Sequence, residues 1–418
     1  MLFRSQRYAC RAAYLAGEWQ PVAAWRRPEL EESSEKNPAD ADVVTRLSAI
    51  WQELLHTPVG PNDNFFALGG DSLTALQMAL AVEEQFNIQV GTAFFRNPTI
   101  SYLATLLDPE AAATPAAAPS PMLHRAPRAA YKPLIPPRGR FVREGPIFRS
   151  RTLLPYGLGV HLQRAWLAVP AIQQLFFKNE ITLLQRWGER IGTPPDAKAV
   201  LQSLLANTWR DWRKQILTVP LGASPWVQVQ GDPLFWQPQR SSTGVIFMPM
   251  HTPLAELFLR GLTAGGVRYQ FVRGATDETE TRSQDRALQL YQAGNVLAQG
   301  GVVIIAGDGG KGRQRVVVPF FGGQRPFLQG SAELAVQTGA ALVPVFCTIA
   351  TRGKVEINVC PPLERGTGSD RAQVDQLTRA YADLVVARWP HVYACLSWEN
   401  LARWLASSMQ QANEGGTK

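Results

Sequence analysis

From about residue 225 onward, short apolar runs alternate with helix-length amphipathic segments, and this alternation constrains the fold more than any other feature. The sharpest run is Val245-Ile246-Phe247-Met248-Pro249-Met250. It is too short for a typical helix and is apolar on both sides, so it reads as a strand buried on both faces. His251 ends it. Thr252 suits an N-cap, Pro253 suits a first helical position, Leu254 to Arg260 is helix-prone, and Gly261 suits a stop. The spacing therefore predicts an imidazole at a strand's carboxyl end, with the carboxylate of Glu256 five residues on. Open α/β sheets bind ligands at that edge. A His with a carboxylate is the minimum equipment for general-base catalysis.

Further strands are expected at Trp226–Gln230, Arg268–Val272, Val302–Ile305, Val316–Phe320, Ala341–Thr348 and Val355–Val359. Helices are expected at Arg282–Gln299, Leu328–Thr338, Asp370–Trp389 and Trp398–Met409. Helices interleaved with strands in this way predict an α/β domain, a mixed sheet flanked by helices. Amphipathic segments between residues 151 and 218, with Leu162, Trp166, Val169, Ile172, Leu175 and Phe176 near one face, are expected to pack on that core, with a shallow membrane contact as a second reading.

The N-terminal quarter has a different character. Residues 1–37 mix Arg, Trp and Glu without periodicity and read as an extension. Residues 38–108 carry eight acidic residues against Arg46 and Arg96. Val43, Val44, Leu47, Ile50, Trp51, Leu54 and Leu55 recur at helical spacing, and the whole unit reads as a small four-helix bundle. Its centre is Asn64-Phe65-Phe66-Ala67-Leu68-Gly69-Gly70-Asp71-Ser72-Leu73, where Asp71 or Ser72 can cap the next helix. Residues 109–145 are Ala/Pro-rich and then basic, a semi-extended linker. A domain spanning 146–410 follows.

The motif ending in Asp71-Ser72 resembles the phosphopantetheine attachment motif of carrier domains from nonribosomal peptide and polyketide assembly lines. Asn97-Pro98-Thr99-Ile100 fits the start of the last carrier helix. The resemblance implies an acyl or peptidyl carrier domain at 38–108 with 4′-phosphopantetheine on Ser72. It also implies two partners: a phosphopantetheinyl transferase, and an upstream enzyme that loads acyl or aminoacyl groups. An exposed Ser at a helix N-terminus would be accessible, and a phosphate there would meet free backbone N–H groups.

Four blocks in the C-terminal half carry a second resemblance. They are His251 to Glu256, Tyr269 to Gly274, Gly307-Asp308-Gly309-Gly310-Lys311-Gly312 with the following Val316 to Gly323, and Gly330 to Phe346. Together they resemble the lysophospholipid acyltransferase superfamily, nearest the late acyltransferases of lipid A biosynthesis, over residues 240–400. The resemblance implies that His251 is the general base and Glu256 its orienting carboxylate. Arg273 becomes a candidate for binding an acceptor phosphate, another anion or the carrier's phosphate, Asp308 and Lys311 become candidates for shaping the acceptor site or supplying oxyanion donors, and Ser331 and Glu333 belong to a helix start. No nucleophile elbow is present, which favours direct attack on a thioester over an acyl-enzyme. Two departures bear on the acceptor: no membrane-anchoring helix is evident, and Gly309-Gly310-Lys311 stands where the lipid A enzymes typically carry a further acidic residue.

Composition narrows the remaining classes. Cys10, Cys347, Cys360 and Cys395 are scattered, which argues against a zinc site or a disulfide framework. Met1 to Arg11 lacks an apolar h-region, so a secretory signal is not expected, and no apolar run is long enough to span a bilayer. The expected location is the cytoplasm, with association at the inner membrane surface left open. Between 109 and 180, ten Lys/Arg stand against three Glu. That stretch reads either as a surface for an anionic membrane or the acidic carrier, or as a solvated linker. No nucleic-acid-binding motif accompanies the charge, so nucleic acid is not an expected partner. The expected function is transfer of an acyl or peptidyl group between the carrier thiol and a hydroxyl or amine acceptor, small molecule or lipid, in either direction. The alternatives are a carrier with a non-catalytic docking scaffold, and a phospholipid acyltransferase that uses acyl-CoA.

Overall fold

In the computed structural model the described residues are 38–107, 155–208, 220–233, 244–272, 280–308 and 315–414. The chain divides into two compact units, Met1–Val43 and Val44–Lys418. Little of the first is described, and the expectations for residues 1–37 and for the 109–145 linker lie outside the described residues.

The helical region comprises α1 (Pro38–Leu55), α2 (Ser72–Phe86), a short 3-10 turn at Phe94–Arg96 and α3 (Ile100–Leu106). Trp51 is fully buried and meets Phe65 edge-on at 4.8 Å and Phe94 at 6.2 Å. These rings supply the large apolar area that a domain this small needs. The paired glycines of the motif have separate jobs. Gly69 sits at φ +101°, a conformation that favours glycine. A Cβ on Gly70 would stand 2.3 Å from the Phe65 ring, so only glycine lets the loop close over that side chain. Asp71 then caps α2, accepting from the N–H of Leu73 and Thr74 while its own N–H donates to the Thr74 hydroxyl.

Helices α4 (Tyr156–Leu167), α5 (Pro170–Phe176), α6 (Lys178–Ile191) and α7 (Ala197–Asn207) precede an α/β region. That region contains β1 (Val227–Gln230), β2 (Val245–Pro249), α8 (Ala255–Ala264), β3 (Tyr269–Val272), α9 (Glu280–Ala298), β4 (Val302–Ile305), β5 (Arg315–Phe320), β6 (Gly323–Leu328), α10 (Gly330–Thr338), β7 (Ala341–Ile349), β8 (Val355–Val359), α11 (Asp370–Val392) and α12 (Trp398–Glu414). Six strands form one sheet in the order β1-β8-β7-β2-β4-β3. β2, β3, β4 and β7 run parallel, while β7 and β8 pair antiparallel, so the sheet is mixed as expected. All five residues of β2 are buried, which matches its unbroken apolar sequence.

Three details differ from the expected pattern. α8 begins at Ala255 with Leu254 at its N-cap and no side-chain cap, so Thr252 is not the cap and Pro253 lies in the turn before the helix. Gly261 does not end α8, which runs on to Ala264. A Cβ on Gly261 would lie 2.3 Å from Leu221, so this glycine serves a close approach inside the helix. Residues Gly323–Leu328, not expected as a strand, pair antiparallel with β5 in a separate hairpin. The hairpin packs into a second aromatic core of Phe320, Phe327, Trp187, Trp389 and Trp404, the last two stacked at 4.5 Å.

The helical region rests on the α/β region within the Val44–Lys418 unit. The Tyr291 hydroxyl on α9 donates to Glu83 Oε1 at 2.6 Å and accepts from the Gly91 N–H at 3.0 Å, and its ring lies 5.4 Å from that of Phe95. Gln77 on α2 hydrogen-bonds Glu333 on α10, and Leu76 and Leu334 both approach Gly294 on α9, each 3.9 Å from where a Cβ there would stand.

Candidate functional site

Register explains how the site forms. β2 and β4 are parallel neighbours, with Val245 opposite Val302 and Phe247 opposite Ile304. Continuing that register past both strands brings position 251 level with position 308. The structure places them so: the Asp308 carboxylate accepts the His251 backbone N–H at 2.9 Å through Oδ2 and hydrogen-bonds Nδ1 through Oδ1. The imidazole is half exposed, and the carboxylate behind it is 1% exposed. With Nδ1–H donating to a carboxylate, Nε2 carries the lone pair. The hydrogen bond to Asp308 raises the imidazole pKa above 6.5, against the opposing effect of burial.

Asp308 is itself held. Arg325 on β6 is buried, lies 3.3 Å above the Trp404 ring and reaches the Asp308 carbonyl at 3.4 Å. Burial pulls its guanidinium down to about 10, and the Asp308 charge partly restores it. The buried Tyr381 hydroxyl sits beside Gly307, where a Cβ would come within 2.2 Å of it. On the other side, the His251 carbonyl accepts from Asn400 Nδ2 at 3.2 Å, and the Thr252 hydroxyl donates to the Cys395 carbonyl at 2.6 Å. The imidazole is thus fixed from β2, β4, the hairpin and the start of α12.

Glu256, expected as the orienting carboxylate, is not the one that engages His251. It lies in the first turn of α8 and pairs with Arg260 at 3.0 Å on an exposed face. Helical geometry favours that i,i+4 partner over a residue on the preceding loop. Arg273 and Lys311 fall outside the described residues. Sequence reasoning named Asp308 as an acceptor-site residue and missed its pairing with His251. It did not single out Arg325, Tyr381 or Asn400, none of which sits in a recognisable motif. Among the described residues no group of three or more His, Cys, Asp or Glu could hold a metal ion.

Ser72 is the first residue of α2 and is 8% exposed, contrary to the expected accessible serine. The expectation of free backbone donors also needs correction, because Asp71 already takes the N–H groups of Leu73 and Thr74.

Residues 45–107 match the family described as "Phosphopantetheine attachment site", and residues 220–398 match "Bacterial lipid A biosynthesis acyltransferase". The chain joins a phosphopantetheine-attachment domain to a lipid A acyltransferase-type domain. Tyrocidine synthase 3 of Brevibacillus parabrevis is 35% identical over 109 residues, 23% of this chain and 2% of that protein. Apicidin F synthase of Gibberella fujikuroi is 44% identical over 68 residues, 15% of this chain and 1% of that protein. The chain therefore spans only 1–2% of the length of these two relatives. The crystal structure of the 1-acyl-sn-glycerophosphate acyltransferase PlsC from Thermotoga maritima aligns over 56% of this chain and 95% of its own, with 19% identity and a TM-score of 0.24. That score is too low to establish a common fold. The attachment domain implies 4′-phosphopantetheine as its cofactor. Ser72 at the head of a capped helix, after a loop that only glycine can close, fits that group.

Proposed function

We propose that the chain is an acyltransferase that moves an acyl or peptidyl group between its own carrier arm on Ser72 and a hydroxyl or amine acceptor. The arm, when attached, supplies a thiol that holds the group as a thioester. His251 Nε2 accepts the proton of the acceptor O–H or N–H as that atom attacks the carbonyl. The same nitrogen returns the proton to the departing sulfur as the C–S bond breaks. Asp308 holds the Nδ1–H tautomer and stabilises the imidazolium while it carries the proton.

The observation that carries this reading is the His251–Asp308 pair at the carboxyl edge of β2 and β4. Topology supports delivery to the same edge. α9 connects parallel β3 to β4, and α10 leads directly into β7, so both helices begin on the side where His251 stands. The domain limits proposed are 38–108 for the carrier and 146–410 for the transferase. Arg273 and Lys311 remain proposed acceptor-site cations.

Contact with a membrane face belongs to this reading, because Leu158, Leu162, Val169 and Leu175 on and between α4 and α5 are exposed. No helix among the described residues is long and apolar enough to cross a membrane.

The test is a time course by intact mass. The full chain is given an acyl-arm by a phosphopantetheinyl transferase and an acyl-CoA, and candidate alcohols and amines are then added. Wild type should lose the acyl group to an acceptor, and His251→Ala should do so roughly 10²- to 10⁴-fold more slowly. Equal unloading of the two proteins would refute the reading.

A further inference from the structure

Three observations meet at the head of α2. Asp71 has used two of the backbone donors, the N–H groups of Leu73 and Thr74, that a phosphate at this helix end would otherwise find. Its carboxylate adds a negative charge beside Ser72, so a phosphodiester on that serine needs a cation from elsewhere. Arg286, near the start of α9, the helix that packs on α2, is a cation within electrostatic reach of Asp71. Its Nε is buried with no hydrogen-bond partner among the described residues, and Asp71 is the charge that favours its ionised form. An arginine kept in a part-buried place against the cost of desolvation, with a donor unused, is matched to an anion that arrives later.

The seat that brings Arg286 to this position is a built contact. It has an apolar centre where Leu76 and Leu334 each lie 3.9 Å from the place a Cβ on Gly294 would take, flanked by Gln77–Glu333 and by Tyr291 with Glu83, Gly91 and Phe95.

We propose that Arg286 is the binding residue for the arm's phosphate, taken up when the carrier is seated on α9 and α10 with Ser72 enclosed. This rests on the reading of Ser72 as the attachment residue. It assigns the phosphate to an arginine on the helix that faces the carrier. Enclosure of Ser72 has a second consequence: a phosphopantetheinyl transferase reaches the serine only when the carrier lifts off.

The test compares apo and holo forms of the full chain, prepared with coenzyme A and a phosphopantetheinyl transferase, without any acyl group. Thermal unfolding is read in each pair, so that a variant's own loss of stability cancels. Wild type should melt higher as holo than as apo. Arg286→Met should abolish that difference, and Arg286→Lys should restore part of it. Arm installation is followed by intact mass in parallel. Tyr291→Phe combined with Gln77→Ala loosens the seat and should take up the arm roughly tenfold faster than wild type. A holo-minus-apo difference unchanged in Arg286→Met would overturn the phosphate assignment. Equal uptake rates in wild type and the double variant would overturn the enclosed seat. Failure of wild type to gain any arm would overturn the Ser72 reading and this proposal with it.

Discussion

At the scale of single residues, the chemistry turns on which carboxylate serves His251. Asp308 holds the imidazole through two oxygens, one on the backbone N–H and one on Nδ1, so it fixes both the position and the tautomer of the ring. Asp308→Asn should therefore cost roughly 10²- to 10⁴-fold in kcat/KM, while Glu256→Gln should stay within about tenfold of wild type. The hydrogen bond to Asp308 raises the His251 pKa above 6.5. A general base works deprotonated, so the rate should rise as pH climbs through a value above 6.5, and in Asp308→Asn that acid limb should move to lower pH. For stability the sign is opposite. The pair contributes fully below 6.5 and its contribution fades as pH rises through the folded pKa. A pH–rate profile and thermal melts on wild type and Asp308→Asn separate the two effects.

At the scale of elements, the parallel register of β2 and β4 is what makes a pair out of residues 57 apart. The turn after β4 is tightly fitted, since a Cβ on Gly307 would stand 2.2 Å from the Tyr381 hydroxyl and 2.9 Å from Met248. Gly307→Ala should destabilise the chain by about 1–3 kcal/mol and shift Asp308 out of line, seen as a lower melting temperature with a lower kcat. The contact between α2 and α10 carries its own signature. Desolvation raises the Glu333 carboxyl above 4.5, opposed by its bond to Gln77. A raised folded pKa means that its favourable contribution is complete below about 4.5 and is lost as pH rises through the shifted value. Glu333→Gln keeps an acceptor for Gln77 without the titration. It should flatten the dependence of melting temperature on pH from 4.5 to neutrality, read in parallel melts.

At the scale of the whole molecule, carrier motif, sheet and strand-end histidine were legible in the sequence because each rests on local rules. The paired glycines, Asp71 and Ser72 sit within a few residues, and the backbone conformation at Gly69 and the Phe65 ring against Gly70 give that spacing its physical cause. The β2 run was readable because a strand covered on both faces must be apolar throughout. The hairpin strand Gly323–Leu328 escaped because Gly, Gln, Arg and Pro dilute its apolar pattern, and its partner is only the adjacent strand. The sequence by itself thus determined the element types and which residues could do chemistry. Only the tertiary structure decided which of them meet. Asp308 takes the place at His251 expected for Glu256, Arg325 backs Asp308, and Ser72 lies enclosed, with the buried Arg286 Nε left unpaired among the described residues. Those pairings depend on strand order, register and helix packing, which join residues far apart in the chain and leave no trace in local spacing.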